Sequence, residues 1–90
     1  REVLLRLQNN IKLRRLRSGE IKTALAATED MLRLAPDQAA LWREAGLMNQ
    51  RLERIGAALG CLDRFLELVP EGEAAARVRA LAIELRQRLN

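Results

Sequence analysis

Ninety residues suffice for one small domain, and a chain that is 49% apolar with a formal charge of +4 is a folded basic body rather than a disordered tail. A single cysteine, Cys61, excludes an internal disulfide, and the chain has no histidine to activate that thiol or to share a metal. No run approaches the roughly 18 apolar residues of a membrane span, and no secretory leader is visible, so a cytoplasmic protein is expected.

Trp42 and Phe65 are the only aromatics, so the core must be built from Leu, Ala, Ile and Val, in a sequence dominated by strong helix formers. The pattern predicts five helices, and the first spans about 2–17. It carries Val3, Leu4, Leu5, Leu7, Ile11, Leu13 and Leu16, more apolar residues than one packed stripe holds. That surplus predicts a contact beyond its own hairpin. In the isolated chain the simplest such contact is a homodimer through the first helix. Because the chain opens on Arg1 without methionine, a longer parent protein is expected.

Ser18-Gly19 supplies a turn, and the second helix runs over about 20–34. Pro36 then stops it, since proline cannot continue a helix and disfavours helical geometry in the residue before it. Asp37 stands where an N-cap for the third helix, about 37–51, is wanted. Leu52-Glu53-Arg54 turns the chain into the fourth helix, about 54–69, which Pro70 ends. The fifth, about 71–89, begins with Glu71 and Glu73, whose charge suits a helix start. It shows Val78, Leu81, Ala82, Leu85 and Leu89 along one stripe, so it reads as a helix sealing the fourth.

"LAPD" at Leu34–Asp37 recurs as "LVPE" at Leu68–Glu71, an interval of 34 residues. At the same interval Ile21 falls on Ile55, Ala24 on Ala58, Leu25 on Leu59, Leu7 on Leu41, Leu13 on Leu47 and Arg17 on Arg51. A helical repeat of that length resembles the tetratricopeptide repeat. Trp42, Ala45, Gly46 and Asn49 occupy its Trp-x2-Leu-Gly-x2-Tyr positions, and Ala58, Leu62 and Pro70 its Ala-x3-Phe…Pro positions. Small Gly46 and Ala58 let two antiparallel helices approach, Leu62 fills the space beside them, and Trp42 supplies bulk toward the neighbouring hairpin. The first unit is degenerate: Gln8, Ile11, Lys12 and Arg15 replace the first motif, Thr28 replaces Phe, and only Ala24 and Pro36 match. Lys12 at the close-contact position must turn its side chain out of the interface or widen the hairpin. The expected architecture is an all-α, α-α superhelix forming one domain over 1–90: repeat 1 at 3–36, repeat 2 at 37–70 and a capping helix at 71–90.

The opening "VLLRLQNNIK" (Val3–Lys12), with "MLRLAPD", "LWREAGLM" and "FLELVPE", further resembles the C-terminal tetratricopeptide region of bacterial transglutaminase-like proteins of the YchA type. Leu13-Arg14-Arg15 departs from that family, where an aromatic is more usual. The resemblance implies a papain-like domain upstream, with this chain docking to it or regulating it. The chain itself is not expected to be an enzyme. Cys61 aligns with Ala27 inside a repeat helix and reads as a structural thiol. No cofactor or metal is expected.

In stacked hairpins the first helix of each pair lines the concave face. Three columns fall there at spacing four: Asn9, Leu13, Arg17; Arg43, Leu47, Arg51; and Arg77, Leu81, Leu85. They predict a Leu13–Leu47–Leu81 stripe flanked by arginines, suited to an acidic, partly apolar protein or peptide because guanidinium binds carboxylate bidentately. The plainer reading is that these arginines keep the array soluble. The competing class is nucleic-acid binding, favoured by the cluster Lys12, Arg14, Arg15 and Arg17. Single-strand binding wants aromatic platforms that two core-like aromatics do not supply, so only nonspecific, salt-sensitive binding is expected from it.

Overall fold

Two prolines and two left-handed turns divide the chain into helices α1 (Glu2–Arg17), α2 (Ile21–Leu34), α3 (Ala39–Arg51), α4 (Ile55–Leu68) and α5 (Glu73–Leu89). The computed structural model describes every residue from Arg1 to Asn90 and contains no strand. Each helix packs on the one that follows, building an all-α superhelical stack of 38 × 26 × 19 Å.

The turns come in two kinds. After α1 and α3 a left-handed residue reverses the chain: Gly19 at φ 77° and Glu53 at φ 60°. The next N–H then reaches back to the helix, from Glu20 to the Arg15 carbonyl at 2.8 Å and from Arg54 to that of Asn49 at 2.9 Å. After α2 and α4 the residue before proline is extended instead, Ala35 at φ −142° and Val69 at φ −131°.

Those proline turns are longer than expected. The Gln38 N–H donates to the Ala35 carbonyl at 3.2 Å, so α3 starts at Ala39 with Gln38 preceding it. Asp37 is therefore not the cap: it lies in the turn and pairs with Arg1 at 3.3 Å. Likewise α5 starts at Glu73, behind Gly72 at φ 109°, and Glu71 lies outside the helix. Glu73 does occupy the first turn of α5.

The apolar faces form two clusters joined by Trp42. Leu5, Ala24, Leu25, Met31, Leu41 and Met48 belong to the first, and Leu59, Leu62, Phe65, Val78 and Leu85 to the second. Trp42 packs against both, and its Nε1–H donates to the Pro36 carbonyl at 2.8 Å, fixing the ring. The contact between α3 and α4 is closest at Gly46, where an added Cβ would sit 2.7 Å from Leu62 Cδ2 and 3.4 Å from the Ala58 carbonyl. The two polar residues at aromatic repeat positions satisfy themselves within their helices. Buried Thr28 donates to the Ala24 carbonyl and buried Asn49 to that of Ala45, each at 2.9 Å.

Lys12 takes a third course. Its side chain is only 6% exposed, and its ammonium crosses to α3 to meet Glu44 Oε1 at 2.5 Å. The position that glycine holds in α3 is thus used in α1 to tie one hairpin to the next. The surplus apolar residues of α1 divide: Leu5 is buried, Ile11 and Leu16 are half-buried, and Val3, Leu4 and Leu7 stay 69%, 51% and 55% exposed.

Candidate interaction groove

The first-of-pair helices α1 and α3, together with α5, run in the same direction and present the predicted columns. Arg43, Leu47, Arg77 and Leu81 line one cleft of about 160 Å³ between α3 and α5, floored by Ala74 and Val78. A second cleft of about 190 Å³ lies between α1 and α3, walled by Leu16, Glu44, Leu47, Met48 and Arg51. Leu47, 40% exposed, is the ridge shared by both.

One helical property explains how the columns divide. Residues four apart on an α-helix drift by about 40°, so two such steps swing a side chain by about 80°. Arg43 accordingly faces α5 while Arg51 faces α1. In α5 the same drift carries the column out of the groove altogether: Leu85 is 1% exposed and belongs to the core against α4, not to the binding face. Asn9 lines a separate, more polar cleft with Arg6, Gln38 and Glu44 at the N-terminal half of α1. Leu13 is 39% exposed and Arg17 is exposed at the end of α1; neither lines a cleft.

Charge in the groove is uncompensated. Eight ion pairs hold the surface, yet none includes Arg17, Arg43 or Arg51, and Arg77 meets Glu73 only at 3.9 Å with both side chains largely solvated. The Nε of half-buried Arg43 is sealed from solvent with no hydrogen-bond partner. An orphaned charged donor beside a cleft is costly until something accepts from it. No such signal was legible from residue spacing, because it depends on the conformation the Arg43 side chain takes in the fold.

Cys61 is half-buried in a separate cleft with Glu29, Leu32, Pro36 and Trp42 on the face opposite the groove. Burial, and then the charge of Glu29, push its thiol above the ordinary range, against a weaker opposing contact from the Asn49 amide. A half-buried thiol held protonated is a poor nucleophile.

A profile of the tetratricopeptide repeat matches residues 11–82. The chain belongs to the tetratricopeptide repeat family. No curated protein matches it. Tetratricopeptide domains generally mediate protein–protein interaction and are typically non-catalytic scaffolds. The matched span includes α3, α4 and the clefts on both sides of Leu47, so the groove is built from repeat positions. No helix of this tetratricopeptide domain is long and apolar enough to cross a membrane.

Proposed function

We propose that this domain binds an acidic, partly apolar protein segment in the clefts formed by α1, α3 and α5. The observation that carries the reading is the pair Arg43 and Arg77 lining one cleft with Leu47 and Leu81, with Arg43 outside every ion pair and its Nε without an acceptor. A carboxylate from a partner would draw the Arg43 guanidinium into the cleft and give Nε its acceptor, and the leucines would cover an adjacent apolar side chain. Arg51 and Arg17 extend the basic border toward the C-terminal ends of α3 and α1. The segment could belong to another chain or to a transglutaminase-like domain of a longer parent. The exposed Val3, Leu4 and Leu7 would serve a second, apolar contact, with such a domain or in a homodimer of the isolated chain.

Fluorescence anisotropy with a synthetic peptide carrying two leucines and flanking glutamates tests the groove. Arg43→Glu with Arg77→Glu should abolish binding at low salt while helical content is retained. Reversing Arg64 and Arg86, which pair with Glu67 and Asp63 away from the clefts, should leave it nearly intact. Equal loss from both pairs would remove the groove assignment.

A further inference from the structure

The modest total charge conceals a strong segregation along the helix axes. Alternating helix directions gather the C-terminal ends of α1, α3 and α5 and the starts of α2 and α4 at one end of the bundle. Arg14, Arg15 and Arg17 close α1, Arg51 closes α3, and Arg86 and Arg88 close α5. Lys22 and Arg54 stand at the starts of α2 and α4, and the side-chain carboxylates toward this end are Glu20, Glu53 and, further inside α5, Glu84. Glu20 and Glu53 are already taken, by Arg15 at 2.9 Å and Arg88 at 2.6 Å, and Arg86 has Asp63 at 3.1 Å. Arg14, Arg17, Lys22, Arg51 and Arg54 are left outside any ion pair. The opposite end is near balance, with Glu2, Asp37, Glu71 and Glu73 at or before helix starts and Asp30 and Glu67 near the ends of α2 and α4, matched by Arg1, Arg33 and Arg64 together with Arg6, Arg43, Arg77 and Arg79.

Helix dipoles account for part of this, since cations favour helix C-termini. They do not account for Lys22 and Arg54, which sit at the positive pole of α2 and α4, where anions are preferred and neither helix has an acid in its first turn. Cations placed against the local dipole add to a field that extends beyond the groove. Arg51 belongs to both features: it walls the α1–α3 cleft and stands at the edge of the basic end.

We propose that a bound segment lies with a fixed polarity, its apolar stretch crossing Leu47 and its acidic flank running past Arg51 and Arg17 onto Arg54 and Lys22. This rests on the groove reading above and adds a direction to it. A flank of several carboxylates at the other end would meet Glu73, Glu71 and Glu2 interleaved with the arginines there, and would gain less than at the basic end. The single carboxylate held between Arg43 and Arg77 is compatible with this orientation, because that cleft lies on the far side of Leu47 from the basic end.

The test uses the isotopically labelled 90-residue chain and a peptide with one glutamate, then two leucines, then a run of glutamates. A nitroxide is placed at the glutamate end or at the leucine end. The glutamate-end label should broaden amide signals around 17–22 and 51–55, and the leucine-end label those around 39–43 and 73–78. Binding with the broadening reversed, or equal at both ends, would overturn the polarity and leave the groove standing. A peptide that does not bind at all would remove the groove reading and the polarity with it. Lys22→Glu with Arg54→Glu, both outside the clefts, should weaken the glutamate-flanked peptide about tenfold at low salt and spare a glutamine-flanked one. Equal affinity of both peptides for that variant and for the unmodified chain would contradict the proposal. So would binding of a polyglutamate without leucines as tight as that of the full peptide.

Discussion

Gly46 offers a quantitative check on the packing that positions the groove, because Gly60 of the same hairpin serves as a control. Alanine is favoured over glycine inside a helix by about 1 kcal/mol. At Gly60, exposed in α4 with nothing within 4 Å of an added Cβ, Gly60→Ala should realise most of that gain. At Gly46 the same methyl group would lie 2.7 Å from Leu62 Cδ2 and 3.0 Å from its Cγ. Comfortable carbon contacts are about 3.5–4.0 Å. Leu62 is fully buried among Ala58, Phe65 and Ala82, so its end cannot swing into solvent. Overpacking of this kind costs about 1–3 kcal/mol. Gly46→Ala should therefore be less stable than Gly60→Ala by about 1–3 kcal/mol, a gap of roughly 5–20 °C in Tm for a domain of this size. Urea unfolding followed by circular dichroism measures it, and Gly46→Leu should lose more. In a Leu62→Ala background the penalty at Gly46 should vanish, since the space it needs has been vacated. Equal stability of Gly46→Ala and Gly60→Ala would refute the close α3–α4 contact and with it the register of the clefts.

Other outcomes follow from single contacts. Glu44→Gln strands the buried Lys12 ammonium and should cost about 1–3 kcal/mol, less than a fully buried pair because Glu44 is 32% exposed; adding Lys12→Met should recover most of it, and urea unfolding of the three chains decides. Gly19→Ala places a Cβ at φ 77° with no neighbour to blame, so a loss of about 1–2 kcal/mol would report backbone strain alone, and no loss would show that the turn has shifted. The hydrogen bond from Ser18 and the pairing with Arg15 hold the Glu20 carboxyl below its ordinary range. A depressed carboxyl contributes stability above its unfolded pKa and loses it as pH falls through the folded one. Glu20→Gln should accordingly flatten the acid limb of the stability profile below the usual carboxylate range, and an unchanged limb would discount the pairing. Cys61 should alkylate more slowly than a free thiol at pH 8, with Glu29→Gln accelerating it, since burial and the Glu29 charge both disfavour the thiolate.

Much of the fold was legible because its determinants are local and periodic. α2 and α4 end two residues before Pro36 and Pro70, as backbone sterics demand, and the 34-residue interval aligned Gly46, Ala58 and Leu62 before any contact was visible. Helix starts were less legible. Pro36 signals a stop, but how many residues the turn consumes depends on the Gln38–Ala35 hydrogen bond, which no residue type announces. Lys12 could be seen to be misplaced, though not where a flexible four-carbon stem would carry its charge; the answer lay 32 residues away in Glu44. Leu85 failed for a geometric reason, since a column drawn at spacing four leaves its face within two turns. The segregation of charge was hidden for another reason: it emerges only when alternating helix directions fold distant ends together.

The central claim is that this tetratricopeptide domain recognises an acidic, partly apolar segment through the clefts on either side of Leu47. A chemical-shift map of the intact chain, titrated with the leucine–glutamate peptide, tests it most directly. The largest shifts should fall on Arg43, Leu47, Arg51, Arg77 and Leu81, with α2 beyond its first turn and the outward face of α4 unmoved. Shifts concentrated instead around Trp42, Cys61 and Glu29, or spread evenly over every arginine, would contradict it.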